Sequence, residues 1–179
     1  MEYCDRGDLE QFLERFRDSN TRVPEQKIWR LFLQLATALH HIHKKKIVHA
    51  DLKPSNILLT SKRDDVKLAD FGISDVLSKN YNLIHAQKGS LRYMSPEILG
   101  GEGAFNEKTD VWALGCILHE MLTLKPTFHA TSEEALVNKI KDGFIPKIVL
   151  RDVSPDLTHL YYTCLNRSVE ARPTMEEIL

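Results

Sequence analysis

The sequence has 179 residues, 42% of them hydrophobic and 27% charged, enough for one globular domain with a substantial core. A formal net charge of −1 excludes a global field that would draw the chain to nucleic acid or to an anionic membrane. The longest apolar run, Val111 to Leu118, is far too short for a bilayer, and the N-terminal residues are too polar for a signal peptide.

Three cysteines, Cys4, Cys116 and Cys164, are odd in number and widely spaced, without a second cysteine at metal-ligand distance from any of them. Cys116 and Cys164 fall inside apolar helical patterns, where a free thiol packs as a small hydrophobe. A soluble protein of a reducing compartment, cytoplasmic or nuclear, is expected.

Leu9, Phe12, Leu13 and Phe16 recur at helical spacing and predict a short first helix. Pro24 suits the first turn of the next, with Glu25 behind it. Ile28, Leu31, Phe32, Leu35, Leu39 and Ile42 then mark one apolar face to about residue 45. His40, His41 and His43, followed by three lysines, read as cations that offset the helix dipole and solvate its end. Two strand-like pieces, 57–59 and 66–69, flank a polar hairpin connection at 61–65. Residues 70–97 show little periodicity, and an aperiodic stretch of that length is usually functional or disordered.

From Asp110 to about Leu124 the apolar positions cover most of a helix's circumference, which predicts a central, buried helix. Three later starts follow. Thr131-Ser132-Glu133-Glu134 reads as a capping box. Ser154-Pro155-Asp156 orders a cap, a first-turn proline and an acid. Thr174-Met175-Glu176-Glu177 opens a last helix. The expected fold is mainly α, with a small β element beside the loops.

Chemistry concentrates in those loops. Transfer of a phosphoryl group to an alcohol needs a carboxylate beside the attacking hydroxyl and cations over the phosphate oxygens. His49-Ala50-Asp51, with Asn56 five residues on, supplies a carboxylate and an amide oxygen, and Lys53 adds a positive charge between them. Asp70-Phe71-Gly72 at a strand end offers a second, anionic metal ligand. Ser95-Pro96-Glu97 closes the segment, and Asp110-Val111-Trp112-Ala113-Leu114-Gly115 follows it.

These motifs, in this order, resemble eukaryotic protein kinases over the whole sequence, which covers only their helical C-terminal lobe. The resemblance implies Asp51 as catalytic base and Asn56 and Asp70 as Mg²⁺ ligands. Lys53 and Ser90 match the pair that marks serine/threonine kinases. Glu97 and Arg172 match a buried ion pair at the end of the activation segment, and Asp110 an aspartate that holds the catalytic loop from below. Residues 1–8 match the hinge, with Met1 at the gatekeeper position. Glu2 and Cys4 would meet adenine, Asp8 would reach the ribose, and Leu58 would lie under the ring. ATP and Mg²⁺ are the implied cofactors, and protein Ser/Thr hydroxyls the implied substrate. Met1-Glu2-Tyr3-Cys4, Gly7-Asp8-Leu9, His41-Ile42-His43-Lys44-Lys45 and Leu122-Thr123-Leu124-Lys125 look like the NIMA-related kinases.

Two departures stand out. Where the familiar pattern carries an arginine that pairs with a phosphate on the activation segment, this chain has Ala50; where the usual acceptor lies, it has Ala86. The segment is therefore not expected to be switched by that route, and Ser74, Ser78 and Tyr81 are the remaining candidate phosphosites. Ser55, in place of an acidic residue, gives no sign of strong preference for substrate arginine. The sequence also lacks the glycine-rich loop, strand lysine and helix glutamate of a nucleotide-covering β lobe. With that N-terminal lobe absent, these residues alone are expected to be inactive, and the open cleft is expected to expose apolar surface and invite a partner. A natural half-kinase that docks a partner without turnover is the alternative. A small-molecule phosphotransferase fits less well, because Ser95-Pro96-Glu97, Asp110 and Arg172 build a platform for protein substrates.

Overall fold

A computed structural model describes residues 4–61, 65–70, 90–101, 106–149 and 153–179. Among them the chain is mainly helical, with one two-stranded antiparallel sheet. In order these are α1 (Leu9–Asp18), α2 (Glu25–Lys44), β1 (Ile57–Leu59), β2 (Val66–Leu68), α3 (Pro96–Gly100), α4 (Glu107–Thr123), α5 (Glu133–Lys141), α6 (Pro155–Cys164) and α7 (Met175–Ile178). Short 3-10 turns at Pro54–Asn56 and Ser90–Tyr93 lead into β1 and towards α3.

α4 organises the molecule. Every residue from Thr109 to Leu122 is buried, so this helix has no solvent face along that length. α2 packs on one side and α6 on another. The α2 side chains Ile28, Leu31, Phe32, Leu35 and Leu39 all point into the core. Trp112 stacks on Phe128, ring planes 2° apart and centroids at 5.9 Å. Cys116 and Cys164 are free and buried, and burial pushes both thiols above the ordinary range, so they pack as apolar groups.

Several local expectations are refined. Pro24 precedes α2 rather than entering it: its ψ of 137° is non-helical, and its carbonyl accepts the amides of Lys27 and Ile28. α4 begins three residues before Asp110, because Asn106 closes a capping box with Thr109. The cap of α5 is Ser132 rather than Thr131, and its third helical residue, Ala135, has no polar side chain to complete a box. The boxes do close at Thr174 and Glu177, where Glu177 accepts the Thr174 amide at 2.7 Å. Finally, α2 buries His43 rather than leaving it to solvate the helix end.

β1 and β2 pair Ile57 with Leu68 and Leu59 with Val66, and β2 lies against α2. The second strand stops one residue short of Ala69, whose amide instead bonds the Asn56 carbonyl at 2.9 Å. Residues 62–64 of the connection lie outside the described residues. The small sheet thus ties residue 56 to residue 69 and holds the two loops together.

Candidate active site

The loop after α2 is suspended from α4. Asp110, only 1% exposed, accepts the His49 amide on Oδ2 and the Ala50 amide on Oδ1, both at 2.9 Å. His43 Nε2–H donates to the same Oδ2 at 2.8 Å. Three donors from two separate segments therefore converge on one buried carboxylate. His49 Nε2–H in turn reaches the Ala69 carbonyl at 3.0 Å. Ala50 sits at φ +65°, a left-handed conformation that costs a residue with a Cβ about 1–2 kcal/mol. The paired hydrogen bonds from residues 49 and 50 to Asp110 hold it there.

That bend presents Asp51, Lys53 and Asn56 together. Lys53 Nζ donates to Asp51 Oδ2 at 2.8 Å and to Ser90 Oγ at 3.0 Å. Asn56 Nδ2 donates to the Asp51 backbone carbonyl at 2.8 Å and to Oδ2 at 3.1 Å. Both side-chain donors fall on one carboxylate oxygen. Among the described residues no hydrogen bond reaches Oδ1. Among the described residues, Asp51 is thereby oriented through one atom, with an acceptor left on the other.

Asp70 is exposed at φ +63° and follows Ala69, whose amide bonds the Asn56 carbonyl. Phe71 and Gly72, and with them Ser74, Ser78, Tyr81 and Ala86, lie outside the described residues. The donor chemistry suits a hard divalent cation. The Asn56 amide nitrogen is spent on Asp51, so its oxygen is the atom that could ligate a cation, and the Asp70 carboxylate is the second candidate ligand. One or two carboxylates plus phosphate oxygens is the usual protein share of a Mg²⁺ site.

Of the residues expected beside a nucleotide, Glu2, with Met1 and Tyr3, lies outside the described residues. Cys4 is half-buried. Asp8 has a structural task absent from the sequence reading: it caps α1, its Oδ1 accepting the Gln11 amide at 2.8 Å. Its backbone pairs with Leu58, so these two residues are neighbours. The Gly7 carbonyl accepts the Leu59 amide at 2.8 Å, and the Leu59 carbonyl the Arg6 amide at 3.2 Å, which fixes residues 6–8 beside β1.

Below the loops, Arg172 is fully buried and grips Glu97 with two parallel bonds, Nη1 to Oε1 at 2.9 Å and Nη2 to Oε2 at 3.2 Å. Its remaining donors go to the carbonyls of Lys108 at 2.7 Å and Asn166 at 3.0 Å, and its guanidinium lies 5.1 Å from the centroid of Trp112. Burial alone would raise the Glu97 carboxyl, but the bonds and charge of Arg172 hold it below its ordinary value.

Sequence reasoning missed two polar clusters. His43 carried no signal other than a histidine on a face otherwise apolar. The second is Glu120, which accepts Tyr93 Oη–H and Arg17 Nη2–H at 2.7 Å each. Burial, next to the Glu120 charge, pushes the Tyr93 hydroxyl far up, so it stays a donor. Glu120 sits where the α4 pattern predicts an interior position, and an acid there was the available clue.

The protein kinase domain family matches residues 1–179. A probable serine/threonine-protein kinase nek2 of Dictyostelium discoideum is 37% identical over all of this chain and 43% of its own length. Serine/threonine-protein kinase Nek8 of Danio rerio is 40% identical over 100% of this chain and 25% of its own length. Serine/threonine-protein kinase Nek2 of Homo sapiens is 36% identical, over 100% and 41% respectively. The chain thus spans less than half the length of these curated relatives. No helix of the described residues is long and apolar enough to cross a membrane. The family match over all 179 residues shows that the chain belongs to the protein kinase family, and its relatives above make it similar to the Nek serine/threonine-protein kinases.

Proposed function

We propose that residues 1–179 form part of a kinase domain, the helical lobe, and that its loops transfer the γ-phosphate of ATP to Ser or Thr hydroxyls of a protein. The observation that carries this reading is the one-sided anchoring of Asp51: Lys53 and Asn56 both bond Oδ2, and Oδ1 remains to accept a substrate hydroxyl proton. Ser90, bonded to the same lysine, sets the Lys53 ammonium over the position of the transferring group. Asn56 and Asp70 would hold Mg²⁺, which when bound neutralises charge on the phosphate oxygens. Cys4, Asp8 and Leu58, with Glu2, would line the adenosine side. Asp8 can do so and still cap α1, because the cap uses one carboxylate oxygen.

In this mechanism the chain's own groups act by position. Asp110 fixes the loop, Asp51 orients and accepts the hydroxyl proton, and Lys53 offers positive charge where charge builds. The glycine-rich loop and strand lysine that cover nucleotide in such enzymes are not among these residues. The proposed activity is therefore that of a kinase domain in which those parts are present. The test is ATP-dependent phosphorylation of a generic protein substrate by an N-terminally extended protein with Mg²⁺, beside its Asp51→Asn variant. Turnover that Asp51→Asn abolishes supports the reading. A well-folded extended protein without turnover sinks it and leaves a docking module.

A further inference from the structure

Away from these loops, the end of α4 and the chain after α5 enclose a groove of about 470 Å³. Leu124, Phe144, Pro146 and Val149 supply its apolar walls. Phe144 is 66% exposed and Val149 87%, the two highest values among the exposed large hydrophobics of the described residues, and both line one groove. The rim is cationic: Arg22, Lys125, Lys139 and Lys147 line it, and no aspartate or glutamate does among the described residues. In a chain whose net charge is −1, Lys125, Lys139 and Lys147 on one groove are a local concentration of positive charge.

The walls are braced before anything binds. Leu124 takes a left-handed turn at φ +59°, and its carbonyl accepts Arg17 Nε–H at 2.8 Å. The Lys125 carbonyl accepts Thr123 Oγ1–H at 3.1 Å and His119 Nδ1–H at 3.2 Å. Opposite, the Pro146 carbonyl accepts Tyr161 Oη–H at 2.9 Å, and Lys139 Nζ bonds the His129 carbonyl at 3.2 Å across the mouth. A groove fixed from both sides loses little freedom when filled. Burial holds His119 below its ordinary pKa, which disfavours a charge on its imidazole beside the lysines and arginine.

We propose that this groove docks an acidic peptide segment of a partner protein, one with a large apolar anchor flanked by Asp or Glu. The anchor would lie between Phe144 and Val149, and the flanking carboxylates would face Lys125 and Lys147. Apolar walls favour a peptide over a nucleic acid, which offers a charged backbone but no aliphatic or phenyl anchor. The groove is separate from the phosphotransfer loops, so its test reads binding and does not depend on turnover.

The experiment is selection of a phage-displayed random peptide library on the full-length protein, followed by fluorescence polarisation of the enriched peptides. Peptides pairing an aromatic or leucine anchor with acidic neighbours are expected. Their affinity should fall at least tenfold in Lys125→Glu/Lys147→Glu, fall similarly in Phe144→Ala, and weaken with added salt. Phosphorylation of a generic substrate should be unchanged in both variants. No enrichment, enrichment of peptides without acids, or binding that survives both variants would overturn the proposal. So would a labelled single-stranded RNA that binds more tightly than any peptide and is lost in the same variants.

Discussion

At the scale of single residues, Asp110 matters because two of its three bonds go to backbone that cannot move elsewhere. Asp110→Asn leaves one oxygen to accept and turns an N–H₂ towards a donor. Each lost bond to a buried charged acceptor costs about 1.5–3 kcal/mol. Residues 49–51 should shift, and misplacement by about 1 Å costs on the order of a hundredfold in rate. The extended Asp110→Asn protein should therefore melt lower and lose at least tenfold in kcat, while peptide docking at the distant groove persists. Retained kcat with a lowered melting temperature would make Asp110 purely structural. Ala50 allows a second test. Its left-handed φ is already borne by a residue with a Cβ, so Ala50→Arg adds the missing side chain without new backbone strain. With alanine also at position 86, that arginine lacks its usual phosphate, and activity of Ala50→Arg should be unaffected by phosphatase treatment. Loss of activity on treatment would reveal another phosphorylated residue as its partner.

At the scale of elements, apolar periodicity made α1, α2 and α4 legible, because each buries a stripe or a whole surface. Boundaries were less legible where the deciding partner is a backbone atom or a single side chain. Asn106 starts α4 early, and Ser132 displaces Thr131, by local bonds that several neighbouring polar residues could equally have made. His43 was misjudged because its partner, Asp110, lies 67 positions away in sequence. Gly115 shows how tightly these elements meet. A Cβ there would lie 2.9 Å from Cys164 Cβ and 2.9 Å from Leu165 Cγ, so α6 rests directly on the α4 backbone. Gly115→Ala gains about 1 kcal/mol of helix propensity. Forcing α4 and α6 apart costs roughly 1–3 kcal/mol, and a contact at Cβ cannot be relieved by a rotamer change. The variant should unfold at lower temperature by calorimetry. A higher melting temperature would show that α6 yields without loss.

At the scale of the whole molecule, the motifs in order made the assembly of the loops legible, down to Lys53 beside Ser90. What they could not give was that both side-chain donors fall on Asp51 Oδ2, which depends on the rotamers of two neighbours. The Glu97–Arg172 pair joins segments 75 residues apart and is likewise legible only as a motif. Its energetics follow from burial. Removing Arg172 leaves a carboxylate in a low-dielectric site, a loss of about 3–5 kcal/mol. For Glu97 the folded-state pKa lies below the unfolded value of 4.5, so the ionised pair contributes fully above that value. The contribution fades as pH falls through the depressed folded value. Arg172→Met, which keeps much of the side-chain volume over Trp112, should melt well below the parent from pH 7 down to about 5. The gap between the two should close as acid titrates Glu97 in both. A gap that stays constant through pH 4 and below would assign the loss to packing on Trp112 and to the carbonyls of Lys108 and Asn166, rather than to the ion pair.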